Sequence, residues 1–489
     1  MRSPNRWWGR LLGVALAVLH PGVLAGQGSL PESIARQVDA VFARYDRPDS
    51  PGCALGVYRG GRMVYARGYG SAHLELGVKL TAASVFDIGS TSKQFTALSV
   101  LLLAREGKLA LDDDVRKYVP ELRNYGRTIT IRHLLHHTSG LRDYTTLLIL
   151  AGERIQNVTT EADALDMIAR QQALNFAPGS QWEYSNSGFF LLSIIVKRVS
   201  GESLRRFAQA RIFGPLGTER THVHDDHAMV VANRAVGYLP GDSTGAFRIE
   251  MSNWEQTGDG SVLTTVEDLL RWDQNFYSTA VGGSEVRSEM VQPGSLNDGK
   301  ALDYAAGLII GEYRGLKTVA HGGSWAGYRA QLLRFPAQHT SVACLCNLGS
   351  ADAGELALRV ADVYLAGRLG PAKVTDAADS GPLPTSSSPS LSPAQRPGAE
   401  LLAAFKGDYY SPELQATYRI RMDGGKLVLQ ARSLPATALK PTIQDEFEHP
   451  TQGFTLRFSR ARAQVTGFTL AADDIRGLRF ERHRAARSR

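Results

Sequence analysis

The chain has 489 residues, 43% of them hydrophobic, a length and composition that call for two or three folded units, each with its own core. Its formal charge of +7 sits at the termini: Arg2, Arg6 and Arg10 at one end and Arg482, Arg484, Arg487 and Arg489 at the other leave residues 27–481 neutral. A nucleic-acid partner finds no electrostatic support in such a body, and three cysteines are too few for a disulfide scaffold.

Residues 1–26 combine a basic start, the apolar stretch 11–19 and small residues before Gly26, the layout of a secretory signal peptide cleaved near Ala25 or Gly26. This predicts an exported protein, periplasmic or secreted. No cysteine follows the apolar stretch, so a lipid anchor is not indicated, and no later apolar run approaches the ~20 residues a membrane span needs. Stable membrane insertion after cleavage is therefore not expected. Next, Leu30, Ile34, Val38, Val41, Phe42 and Tyr45 recur at helical spacing behind Ser29 and Pro31. Cys53, Leu55 and Val57 then alternate and the chain turns at 59–62 and returns, a hairpin. Cys53, Cys344 and Cys346 all lie in apolar stretches, so buried thiols are the default; one strand-to-strand disulfide through Cys53 is open, and the odd count leaves at least one thiol free.

Residues 86–103 contain Ser90-x-x-Lys93, and no other lysine of the chain has a serine three positions before it. On a helix starting at Ser90, Lys93 lies one turn later on the same face, where its amine can approach the hydroxyl. The helix start also brings backbone N–H groups and the positive dipole end to the place where an acyl-transfer oxyanion would form. The apolar run 97–104 makes this a buried central helix whose polar start opens at a cleft.

Beyond it, His133, His136 and His137 are explained by a helix that ends in a Ser-Gly turn, with no carboxylate or cysteine nearby to complete a metal site. Tyr184 and Asn186 are two apart, so in extended backbone they point to one side, ahead of a long apolar helix to Val199. His222, His224, Asp226 and His227 match a His-x-His-x-Asp-His spacing that two zinc ions can use, but the flanking sequence lacks the strand and glycine context of such a site. Residues 258–261 read as a structural turn before a capped helix. Residues 318–323, 328–335 and 340–347 read as three consecutive antiparallel strands, the first ending in His321-Gly322-Gly323, where missing side chains let a substrate backbone lie close. Residues 371–400 are rich in Pro, Ser, Ala and Gly and read as a linker. The alternating segments of 401–489 predict a small all-β barrel with a basic tail.

Ser90-x-x-Lys93, Tyr184-x-Asn186 and His321-Gly322-Gly323, in that order, resemble the three motifs of the serine β-lactamase and penicillin-binding protein superfamily, in its class C-like branch. Residues 134–141, Pro215-Leu216-Gly217 and Gly327-Tyr328 resemble it too, and the likeness covers about residues 30–368. The resemblance implies an α+β fold for 27–370: an antiparallel sheet flanked by helices, with an all-helical subdomain. It implies Ser90 as acylated nucleophile, Lys93 as its base partner and Tyr184 as proton relay. Asn186 would contact a substrate amide. The strand His321, Gly322, Gly323 and Ser324 would bind substrate, with the backbone N–H groups of Ser90 and Ser324 as oxyanion hole. No metal and no cofactor is implied. Two departures stand out. Class C β-lactamases carry Lys-Thr-Gly where this chain has His321-Gly322-Gly323, and a Gly-Gly pair is altered to Gly260-Ser261. Neutral imidazole and glycine cannot hold a β-lactam carboxylate as lysine and threonine do, so the resemblance points to D-aminopeptidases, carboxypeptidases or esterases rather than true β-lactamases. The expected protein is an exported serine hydrolase acting on a small-molecule or peptide ester or amide. Its rivals are a zinc hydrolase built on 222–227 and a noncatalytic cell-wall sensor.

Overall fold

Every residue of the strand Thr340–Cys346 is buried, because both faces of its sheet are covered. In this computed structural model, which describes residues 32–241, 245–371 and 399–483, that strand sits inside a six-stranded sheet. The predicted signal peptide, and all but the ends of the predicted linker, lie outside the described residues. The strands are β1 (Cys53–Arg59), β2 (Arg62–Tyr69), β3 (Ile309–Tyr313), β4 (Leu316–Trp325), β5 (Tyr328–Phe335) and β6 (Thr340–Cys346), antiparallel in the order β3-β4-β5-β6-β1-β2. The main helices are α1 (Glu32–Phe42), α2 (Lys93–Arg105), α3 (Tyr144–Ala151), α4 (Asn186–Ser200), α5 (Val266–Ser278) and α6 (Ala353–Leu365).

Alternation along the strands divides the core in two. Leu55, Val57, Val342 and Cys344 pack under α1 and α6, while Ala54, Tyr58, Ala343 and Leu345 join the core of α2, α4 and α5. Cys53 and Cys346 face each other in the β1–β6 register and are joined in a disulfide, as the sequence left open; Cys344 is the free thiol, buried, with burial pushing it far above the usual range. Helix α2 is buried at every position from Lys93 to Leu103, the mark of a central helix. A helical layer of α3, Glu161–Ala169, α4 and Leu204–Ala208 lies on the same side of the sheet. Among the described residues no helix is long and apolar enough to cross a membrane.

Residues 407–482 form a nine-stranded antiparallel sheet whose edge strands, Thr437–Ala438 and Lys440–Pro441, are separated by one residue, so that it nearly closes into a barrel. Packed aromatic rings fill it, among them Tyr409, Phe458, Phe468 and Phe480. The barrel docks through Glu413, which pairs with Arg142 at 2.7 Å with both side chains 1–2% exposed. Arg142 also donates to the carbonyl of Arg476 at 2.7 Å and to Gln171 Oε1 at 3.0 Å, and Glu413 accepts the Gln172 N–H at 2.7 Å.

Breaking a buried pair from one side leaves a desolvated charge and costs about 3–5 kcal/mol. Glu413→Gln is expected to lower stability by that amount in denaturant unfolding, whereas Glu448→Gln, a 31%-exposed partner of Lys440 on the same unit, changes it by less than about 1 kcal/mol. A loss below about 1 kcal/mol for Glu413→Gln would mean that the carbonyls around Arg142 suffice to hold it.

Candidate active site

The turn that carries Ser90 is built by Asp87 and Gly89. Asp87 Oδ1 accepts the Gly89 N–H at 2.8 Å, and Gly89 takes φ 48°, which folds the chain into the tight turn Gly89–Ser92 that leads into α2. A Cβ at Gly89 would lie 2.8 Å from the Ser324 nitrogen, and one at Gly323 would lie 1.9 Å from the Ile88 carbonyl oxygen. Only glycines let the β4 edge approach this turn so closely. Thr91 Oγ1 donates to the His321 carbonyl at 3.2 Å and fastens the two together. The Ser324 amide thus lies beside the Gly89–Ser90 backbone, the arrangement that an oxyanion hole requires.

Lys93 is fully buried and its Nζ has three partners: Ser90 Oγ at 3.1 Å, Asn186 Oδ1 at 2.9 Å and the Asp259 carbonyl at 2.6 Å. An amine with three directional contacts is thereby held in one place. Each partner is itself pinned. The Asn186 N–H donates to Asp143 Oδ2 at 2.5 Å, while Asp143 Oδ1 accepts from the amides of Thr145 and Thr146, so one carboxylate caps both α4 and α3. Thr96 Oγ1 donates to the Gly258 carbonyl at 2.7 Å and the Val262 N–H to Ser92 Oγ at 3.0 Å, which binds the 258–262 loop to the first turns of α2. Ser261, where the family resemblance expects glycine, adopts φ 69°, and its hydroxyl donates to the Gln256 carbonyl at 2.8 Å.

Ser90 opens on a cleft of about 410 Å³, mouth included. Asn186 and Ser324 line it with Tyr144, Trp254, Trp325 and Asp259. The indoles of Trp254 and Trp325 are 5.3 Å apart. Burial pushes the Asp259 carboxyl up to about 6, with Lys93 opposing the shift and Asp143 reinforcing it; both its oxygens accept from the Tyr144 hydroxyl, at 3.2 and 3.1 Å. Tyr144, Trp254, Trp325 and Asp259 carried no role in the sequence reading. For Asp259 a signal was present, an acid between two glycines ahead of a capped helix, but it read as a turn.

One predicted side-chain role needs correction. His321 is 3% exposed and does not line the cleft: its Nδ1 donates to the Gly322 carbonyl at 2.6 Å, which leaves Nε2 to accept from the Tyr304 hydroxyl at 3.0 Å. Burial and Lys93 push it down to about 4, so it is a neutral structural imidazole under the strand and not a substrate contact. Gly322 faces the other way, toward Gln331. Tyr184 packs on His137 with ring centroids 4.2 Å apart and places its ring 4.9 Å from Lys93 Nζ, and its buried hydroxyl has no hydrogen-bond partner among the described residues. His133 and His137 are structural as well. His133 completes a capping box with Thr130, and His137 Nδ1 accepts the Ser185 N–H, which steadies the Tyr184–Asn186 backbone.

The 222–227 run does not converge as a zinc site. His222 and His224 meet each other and Arg234, whereas His227 bonds Glu255 at 2.7 Å. Among the described residues only Asp226, His227 and Glu255 bring ligand atoms together there, a different and partly exposed set. The barrel reaches the rim and not the floor of the site: Asp474 accepts from Thr146 Oγ1 at 2.7 Å, and no residue lining the cleft comes from 399–483.

The family model described as Beta-lactamase matches residues 38–365. The chain is 31% identical over 290 residues to penicillin-binding protein 4* of Bacillus subtilis (strain 168), covering 56% of this chain and 63% of that one. It is 30% identical over 317 residues to a D-aminopeptidase of Gluconobacter oxydans (strain 621H), covering 65% and 59%. It thus spans about six tenths of the length of the curated relatives it matches. In fold it is similar to the octameric penicillin-binding protein homologue from Pyrococcus abyssi, with TM-score 0.60 and 24% identity over 92% of this chain and 98% of that one.

Loss of a helix cap costs roughly 0.5–2 kcal/mol. Asp143→Ala removes two caps, so it is expected to cost about 1–4 kcal/mol in thermal unfolding and, by unseating Asn186 from Lys93, to lower kcat/KM at least tenfold. Unchanged kcat/KM in a folded variant would show that Asn186 does not need this anchor.

Proposed function

The chain belongs to the beta-lactamase family of serine hydrolases, and we propose that it forms an acyl-enzyme on Ser90 and releases an N-terminal D-amino acid from a peptide or amide. One observation carries this reading: Lys93 Nζ, held by Asn186 and the Asp259 carbonyl, stands 3.1 Å from Ser90 Oγ at the floor of an open cleft. With its two N–H groups on Asn186 Oδ1 and the Asp259 carbonyl, Lys93 acts as the free amine: its lone pair takes the Ser90 proton as Oγ attacks the acyl carbonyl, and the Ser90 and Ser324 amides stabilise the oxyanion. The proton passes to the leaving amine as the C–N bond breaks, by way of Lys93 with Tyr184 as the expected relay. Water then attacks the ester, one proton returns to Ser90, and the free acid leaves. Asn186 Nδ2, with no hydrogen bond among the described residues, is available to a substrate carbonyl.

The D-aminopeptidase direction is supported by the relatives and by the cleft. The residues that line the cleft include one carboxylate and no lysine, arginine or histidine, so a free amine is favoured over the carboxylate of a β-lactam. Export to an oxidising compartment is supported by the N-terminal segment and by the Cys53–Cys346 disulfide.

D-alanine p-nitroanilide is expected to be hydrolysed faster than its L-enantiomer or benzylpenicillin, and Ser90→Ala to lower kcat about 10³-fold or more without loss of fold. A chelator should leave the rate unchanged. Retention of most activity by Ser90→Ala would end the acyl-enzyme reading, and chelator inactivation reversed by zinc would move the chemistry to Asp226, His227 and Glu255.

A further inference from the structure

Asp259 is joined to the catalytic group through its backbone, yet its carboxylate takes no part in the acyl transfer described above. Its carbonyl accepts from Lys93 Nζ, the same atom that touches Ser90 Oγ, so residue 259 stands next to the nucleophile. Asp259 lines the Ser90 cleft, and its carboxylate has the Tyr144 hydroxyl as its one side-chain donor among the described residues. A carboxylate can accept about four hydrogen bonds, so most of its capacity is unused. Every other group lining the cleft is neutral. A partly buried negative charge beside a nucleophile, with spare acceptor sites and no cation in the wall, is a receptor for a cation that arrives with the substrate.

We propose that Asp259 is the specificity-determining residue of this site: its carboxylate binds the α-ammonium of an aminoacyl substrate, while the Trp254–Trp325 pair receives the side chain. In an amino acid the ammonium nitrogen lies about 2.5 Å from the acyl carbon. A carbonyl seated on Ser90 therefore carries its ammonium to the neighbourhood of residue 259 and not to the cleft mouth. The indole pair offers flat apolar area and a face that tolerates a nearby positive charge. The Tyr144 hydroxyl, donating to both carboxylate oxygens, fixes the carboxylate and is the hydrogen bond that a bound ammonium would share. The loop that carries Asp259 is fixed to α2 by Thr96 and Ser92, so the receptor is rigid relative to Ser90.

This deepens the aminopeptidase reading and rests on it, so the test separates the two. Two substrates differing only in the amine, D-phenylalanine p-nitroanilide and 3-phenylpropionic p-nitroanilide, are compared in the wild type and in Asp259→Asn. The ratio of their kcat/KM values is expected to fall about 10- to 100-fold in the variant, the worth of a hydrogen bond to a charged group, with the change in KM rather than kcat. Should Asp259 act instead on the deacylating water, both substrates lose kcat and the ratio stays; that result overturns the proposal and leaves the acyl-enzyme intact. If neither substrate depends on Ser90, the functional reading itself has failed, and calorimetric binding of D-phenylalaninol to wild type and Asp259→Asn then decides the receptor alone: equal affinity overturns it.

A second measurement needs no variant. Lys93, Asp143 and Tyr144 are the charged and titratable groups that face Asp259, and its carboxyl, pushed up to about 6, is negative above that pH. The wild-type selectivity ratio thus rises as pH climbs through about 6, holds until the substrate's own α-ammonium loses its proton near about 7.7, and falls as pH drops through 6, because kcat/KM reports the free enzyme. A ratio that does not move between about pH 4.5 and 7, a span that brackets that value, contradicts the assignment.

Discussion

A lysine side chain with no exposure to solvent needs a partner for each of its hydrogen-bonding positions, since an unpaired buried cation or amine is expensive. Lys93 meets this demand with one atom from each of three elements: the hydroxyl of its own turn, the amide of α4 and a carbonyl of the 258–262 loop. That single requirement explains much of the surrounding structure. Asp143 holds the start of α4, Thr96 and Ser92 hold the loop, and His137 holds the strand-like segment before Asn186. The residues around Lys93 are therefore a support for one amine beside one hydroxyl.

The second constraint is close backbone approach. Gly89 and Gly323 are the positions where a side chain would drive the nucleophile turn and the β4 edge apart. Their absence of Cβ sets the Ser324 amide beside Ser90. With the hydrophobic core above and below the sheet and a barrel docked through Arg142 and Glu413, the cleft is a rigid feature whose chemical character comes from a few side chains. Among these Asp259 supplies the sign of the charge and the two tryptophans supply the apolar area.

Much of this was legible in the sequence because it is local. The spacing of Ser90 and Lys93, the pairing of Tyr184 with Asn186, the hairpin at β1 and β2, and the three strands β4 to β6 depend on residues a few positions apart, and the structure has all of them. What escaped depends on distant partners. The outward or inward facing of His321 is decided by strand register and by Tyr304, from a loop with no motif of its own. His222 to His227 satisfied a metal spacing, yet Arg234 and Glu255 draw the rings in different directions. Arg142 and Glu413 are 271 positions apart and nothing in either neighbourhood announces the other. Asp259 looked like part of a turn because its role comes from the cavity that other elements enclose around it.

The most direct test of the account is the identity of the atom that becomes acylated. Intact-mass and peptide analysis after treatment with a fluorophosphonate should show one adduct, on the peptide that contains Ser90, and none in Ser90→Ala. An adduct on another serine, or full activity in protein that carries the adduct on Ser90, would contradict the assignment of Ser90 and Lys93 as the reacting pair.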